Sequence, residues 1–216
     1  MTTNRNDLLS FKFIDEKCAL LQQEGLSFAK YELVRQVIRQ TGDWEYQSLL
    51  CCETKTLQMG GAALAARIPV IVDVLMVQAG IITLLEKTFV NPVYCAQSLY
   101  SRRHKNKSPI AVSMEMLAQR YPEAIFILGQ DQESLLTLLD LIEANGVQPA
   151  LVIATIPDIL NDHVVKNRLQ NSLVPHISLA GTKGNAVVAV TIFNTLVDLA
   201  WQLYEQNDNN LIALSI

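Results

Sequence analysis

A chain of 216 residues with a formal charge of −4 is long enough for one large α/β domain and lacks the basic balance usual in a nucleic-acid protein. Half of it is hydrophobic, yet no run of about 18–20 uninterrupted apolar residues marks a membrane span. The stretch 68–85 is broken by Asp73 and Gln78, and 186–203 by Thr191, Asn194, Thr195, Asp198 and Gln202, so both read as core elements of a globular protein.

The hydropathy excess points to a large core, a buried oligomer interface, or both. The opening "MTTNRNDLLSFKF" has neither the apolar segment nor the cleavage site of a signal peptide, and a cytoplasmic location is expected. Residues 1–66 read as mainly helical wrapping. Within them "VRQVIRQTGDWEY" places Val34, Val37 and Ile38 at helical spacing and stops at Thr41-Gly42-Asp43, which puts Arg39 in the last turn of a helix.

From residue 69 strand-length apolar runs alternate with helical patterns. Pro69–Val74 is a strand candidate and Thr88–Tyr94 a weaker one. Ser108-Pro109 supplies an N-cap and an N1 proline for a helix to about Tyr121. Ala124–Gly129 reads as a strand. Asp131 caps a helix with Leu135, Leu138, Leu139 and Ile142 on one face, closed by Asn145-Gly146. Ala150–Thr155 is the next strand, with a helix from about Asp158 to Gln170; His176–Ala180 is the last, followed by a helix from about Asn185 to Gln206. Continuous, β-branched strands separated by helices predict a mainly parallel sheet with helices on both faces. No low-complexity linker divides the chain, so 1–216 reads as a single domain.

Parallel sheets bind ligands beyond the carboxyl ends of their strands. The residues there are Asp73 with Met76, Gly129-Gln130-Asp131, Thr155 with Pro157, and Gly181 through Gly184. "LAGTKGNAVV" sets two glycines and Lys183 between a strand and a helix N-terminus, which suits an anion or a plain tight turn. It matches neither a P-loop nor a GxGxxG fingerprint. The run Arg102–Lys107 fits a solvated loop or an anionic ligand. His104, His163 and His176 share no metal-ligand spacing, and Cys18, Cys51, Cys52 and Cys95 form no CxxC, so no metal is expected and the cysteines read as reduced, buried thiols. No GxSxG elbow points to a hydrolase. Residue chemistry alone stops at an α/β domain with an anion-friendly rim.

The order "RIPVIVDVLMVQAGI", "AIFILGQDQESLLTLLDLIEANGVQPALVIATIP" and "LVPHISLAGTKGNAVVAVTIFNTL" resembles the precorrin-8X methylmutase family of cobalamin biosynthesis, over about Phe28 to Leu196. The resemblance implies a flavodoxin-like fold, a homodimer, and an isomerase that moves a methyl group from C-11 to C-12 of a corrin precursor without metal or organic cofactor. The substrate would be a large apolar macrocycle fringed with carboxylates. Arg39 stands where the family carries histidine, its proposed proton donor. The family's "GNAPT" appears as Gly129-Gln130-Asp131-Gln132-Glu133, "TRS" as Asn106-Lys107-Ser108, and "RGRKGGS" as Ala180 to Ala186, keeping Lys183 and losing two arginines. The implied site is Arg39 at the catalytic position, with Asp73, Met76, Lys107, Ser108, Gly129, Gln130, Thr155, Gly181, Thr182, Lys183 and Gly184 around the substrate. A guanidinium is a fixed cation and a poor general acid. The alternatives are therefore a non-catalytic tetrapyrrole- or partner-binding relative and a small-anion module unrelated to corrins.

Overall fold

The structure, a computed structural model, describes residues 5–17, 27–99, 107–159 and 164–213. In chain order the elements are α1 (Arg5–Lys17), α2 (Phe28–Thr41), α3 (Tyr46–Leu49), β1 (Leu50–Cys52), α4 (Thr54–Ala65), β2 (Val70–Val72), α5 (Leu75–Glu86), β3 (Val93–Cys95), α6 (Pro109–Arg120), β4 (Ile125–Leu128), α7 (Gln132–Glu143), β5 (Leu151–Ala154), α8 (Val164–Gln170), β6 (His176–Leu179) and α9 (Ala186–Ala213). The six strands form one sheet in the order β1-β6-β5-β4-β2-β3. All pairs are parallel except β1 on β6, where Leu50 faces Leu179 and Cys52 faces Ile177. Without β1 this is the flavodoxin-like order, and its switch point, where successive connections run in opposite directions along the sheet, lies at β2 and β4.

Period-2 alternation divides the core between the two faces of the sheet. Val70, Val72, Ile125, Ile127, Leu151, Ile153, Ile177 and Leu179 point toward α2, α4, α5 and α9. Ile71, Phe126, Leu128, Val152 and Ala154 point toward α6, α7 and α8. Helix α9 lies between α2 and α5 and buries Val188, Ala189, Ile192, Phe193, Leu196 and Val197. By length and composition 186–206 would pass for a membrane span; 44% of that window lies inside the protein, on the face that carries the buried residues above.

The expected caps are in place. Ser108 accepts from the Ala111 N–H at 3.2 Å and Asp131 from the Ser134 N–H at 2.8 Å; Asn145 takes a left-handed φ of 55° after α7. Two expectations are corrected. Most of Thr88–Tyr94 is the turn that ends α5. There the Thr88 hydroxyl bonds back to Leu84 O, Val90 adopts a φ of 60°, and Asn91 donates to Leu64 O and Ile68 O, leaving Val93 as the first strand residue. Asp158 does not open a helix. It is buried in a loop with its N–H on Thr182 O, and α8 begins at Val164; residues 160–163 lie outside the described ones. The N-terminal third is mainly helical, as expected, and also contributes the short antiparallel edge β1. Cys95 is buried as expected, whereas Cys51 and Cys52 are half-buried free thiols. Cys18, His104, His163 and 102–106 of the basic run lie outside the described residues.

Candidate functional site

At the strand-end rim the sequence-predicted residues meet chiefly one another. Asp73, fully buried at the end of β2, accepts four backbone N–H bonds. Val74 reaches its Oδ1 at 2.8 Å, and Gly129, Gln130 and Asp131 reach its Oδ2 at 3.0, 2.8 and 2.9 Å. Burial pushes its carboxyl above the ordinary carboxylate range and the four donors pull it back. Such a carboxylate fixes the loop after β4 and has little capacity left for a ligand. Gly129 is there because a Cβ would stand 2.6 Å from the Ala186 Cα, so the start of α9 packs directly on the end of β4.

The neighbouring loop is held in the same way. Thr155, fully buried, donates to Asn185 O at 2.9 Å. Gly184, at a φ of 144°, passes so close that a Cβ would meet Thr155 O at 2.1 Å. Lys166, which sequence reasoning passed over, reaches under the loop from α8 and donates to Gly181 O at 2.6 Å and Lys183 O at 3.2 Å. Burial lowers its pKa, while the Asp158 charge opposes that shift.

The cations have protein partners. Lys183 bridges Asp43 at 2.5 Å and Glu45 at 2.9 Å, fastening the loop to the segment after α2. The hydrogen bond to Asp43 raises the lysine and depresses the carboxyl. Lys107 bonds Glu115 at 2.7 Å, and the Ser108 N–H bonds the Glu133 carboxylate at 3.0 Å. Thr182 and Gln130 are exposed, and a hollow of about 390 Å³ opens over Gln130 and Asp131 with Gln97, Ile110, Val74 and Met76.

Met76 also belongs to a larger groove, of about 910 Å³, between α2, α5 and α9. Arg39 lies in it with Gln36 and Gln40. Met76 and Gly80 come from α5, and Phe11 from α1. The helix that carries Arg39 starts at the Ser27 cap and ends on Gly42, whose φ of 69° and N–H to Ile38 O close the last turn. A cation suits that C-terminal turn, and Phe11 takes the guanidinium of Arg39 on its ring at 5.0 Å and that of Arg35 at 4.0 Å. Arg35 is fixed in turn by two bonds to Asp15, at 2.8 and 2.9 Å.

The face of α9 toward this groove carries Val187, Val190, Thr191, Asn194, Thr195, Asp198 and Gln202. Gly80 lets α5 close on α9: a Cβ there would stand 2.7 Å from Val190, and the Asn194 amide donates to Gly80 O at 3.0 Å. The Asn194 Oδ1 is buried without a partner among the described residues. Packing around Asp198 raises its carboxyl above the ordinary range. The polar members of this face recur at three- to four-residue intervals along a hydrophobic helix. That spacing was the available signal, read only as interruptions of an apolar run.

Elsewhere, a hollow of about 490 Å³ is lined by Cys51, Cys52, Lys55, Gln170 and His176 among others. Burial pushes the Cys52 thiol up to about 12, and the His176 ring is tied to Val174 O at 3.0 Å. Among the described residues no three His, Cys, Asp or Glu side chains gather as metal ligands.

Residues 8–199 match the family model described as precorrin-8X methylmutase. A cobalt-precorrin-8 methylmutase from Synechocystis sp. is 31% identical over 209 residues, covering 90% of this chain and 95% of that protein. One from Methanocaldococcus jannaschii is 28% identical over 169 residues, covering 78% of this chain and 79% of that one. The crystal structure of a precorrin-8X methyl mutase from Thermus thermophilus superimposes with a TM-score of 0.74 at 26% identity, over 91% of this chain and 98% of its own.

Proposed function

The chain belongs to the precorrin-8X methylmutase family, and from that premise we propose that it is an isomerase of cobalamin biosynthesis which moves a methyl group from C-11 to C-12 of a corrin precursor, with the groove beside Arg39 as its site. The observation that carries this reading is the groove itself. Its volume of about 910 Å³ lies in the range of ligand sites, and it sets Met76, Val187, Val190 and Phe11 beside a half-buried guanidinium. An apolar macrocycle edged with carboxylates needs that combination. Arg39 supplies a permanent positive charge for one carboxylate, and the rim residues Gly129, Gln130, Thr182, Lys183 and Gly184 hold the loops that shape the mouth. No external methyl donor enters, since the methyl stays within one molecule.

We further infer that residues 1–216 act as one domain, in the cytoplasm, and that the chain pairs with a second copy. Outside the groove, Leu75, Met116, Leu203 and Tyr204 present exposed apolar surface, which suits a covered face. Sedimentation at micromolar concentration should show a dimer, and only a 24 kDa species would remove the pairing.

Incubating the purified protein with precorrin-8X and identifying the product tests the main reading: methyl-shifted product is expected, and its absence rejects the enzyme. A second reading, a tetrapyrrole-binding relative without turnover, is favoured by Arg39 standing at the histidine position. Binding without product in the wild type, together with product from Arg39→His, would select it.

A further inference from the structure

The methylmutase reading leaves the reaction without a proton donor, because arginine stays charged at any working pH. Methyl migration asks for one. When the methyl leaves C-11 with its bonding pair, the acceptor carbon C-12 must be electron-poor. Placing a proton on a nitrogen conjugated to it is the direct way to make it so. Among the described residues lining the groove, two are ionisable: Arg39 from α2 and Asp198 from α9; the α5 and α1 residues there, Met76, Gly80 and Phe11, carry no charge.

We propose that Asp198 is the acid of this groove, a catalytic residue that gives a proton to a ring nitrogen of the bound macrocycle and takes it back. In the forward step the Oδ–H bond breaks and an N–H bond forms, leaving a carboxylate and a cationic ring. The C-11–methyl bond then breaks as the C-12–methyl bond forms with the same electron pair. C-12 becomes tetrahedral and C-11 joins the conjugated system. The N–H proton returns to the carboxylate, so substrate and product are isomers and no oxidant or reductant is consumed.

The surroundings agree. Asp198 is exposed at the groove, yet partial burial already raises its carboxyl, and a macrocycle covering the groove would remove the remaining water and favour the protonated form further. Arg39 then acts as the fixed charge that orients the substrate carboxylate, which separates binding and proton transfer between two residues where an imidazole could combine them.

The test rests on the methylmutase reading and separates the two claims. Turnover of precorrin-8X is followed against pH for wild type, Asp198→Asn and Asp198→Glu, with thermal unfolding of each. Wild-type kcat should fall as pH rises through the pKa of the acid. Asp198→Asn should lose about 10²–10⁴-fold in kcat with KM within about threefold, and lose that limb of the profile. Asp198→Glu should recover part of the rate and the limb, at an unfolding midpoint equal to that of the asparagine variant. An Asp198→Asn protein with wild-type kcat and an unchanged profile overturns Asp198 alone and leaves the methylmutase reading standing. A wild type that converts no precorrin-8X overturns both.

Discussion

The rim of the sheet and the groove between the helices are neighbours that share Met76, yet they leave different surfaces open. At the rim Asp73, Thr155, Lys166 and Lys183 all reach other parts of the chain, and two glycines are required because backbone passes where a side chain would sit. In the groove, Thr191, Asn194 and Thr195 are bonded to backbone of the helices that carry or face them, and what is left open is apolar surface at Met76 and Val187 with the exposed carboxylate of Asp198. A region whose polar groups are committed to the protein's own loops is scaffold; one that leaves apolar surface and a carboxylate open can take a ligand. A strand-end search finds the first, because switch-point loops are built there, and the site proposed above lies on the helices beside it.

The strongest way to break this division is Gly184→Val. With a φ of 144° and a Thr155 carbonyl in the space a Cβ needs, the loop cannot keep its path, and the variant should lose more than about 3 kcal/mol in chemical denaturation. Stability near wild type would show that the loop is not held as described. Next comes Asp73→Asn, which turns an all-acceptor group into one with a donor aimed at backbone N–H groups. A loss of about 1.5–3 kcal/mol is expected, with any weakening of ligand affinity following from it. Affinity lost at unchanged stability would move Asp73 from scaffold to ligand contact.

Arg39→Ala sharpens the other side. Unfolding should change by less than about 1 kcal/mol, while precorrin-8X binding weakens on the order of tenfold, the worth of one charge-assisted contact. Equal affinity would take Arg39 out of the site. The smallest effect is expected from Lys183→Ala, whose loss is read as a small drop in unfolding midpoint compared across pH. Asp43 is depressed, so its share of the bridge is whole above the unfolded carboxylate pKa of about 3.9 and fades as pH falls through the lower folded value. Lys183 is raised, so its share is whole below about 10.4 and fades as pH rises through the higher folded value. The difference between variant and wild type should therefore stay level from about pH 5 to 9 and vanish in acid. A difference that grows in acid would assign the effect to another group.

Much of the fold was legible because its signals are local. Ser108-Pro109, Asp131 and Asn145-Gly146 mark helix ends by chemistry that needs no tertiary partner. Apolar runs of strand length located β2, β4, β5 and β6 to within a residue or two at each end. The misses depended on distant partners. Thr88–Tyr94 is β-branched and aromatic enough for a strand, but Asn91 reaches back to Leu64 and Ile68 and makes it a turn. "LCC" became a strand only because β6 offered an unpaired edge. The candidate site follows the same rule: Arg39 was named from a helix stop and a family resemblance, whereas placing Asp198 beside it needs the knowledge that α9 turns its polar stripe to the groove.

That short antiparallel strand has one more effect. A parallel sheet ending at β6 would leave a four-residue edge of His176–Leu179 with open backbone groups, a template for another chain. With β1 laid along it, both borders of the sheet, β1 and β3, are only three residues long, and each runs directly into a helix or helical turn. Neither border offers the length over which an incoming strand could find register. Edge-to-edge addition of another strand is thereby disfavoured.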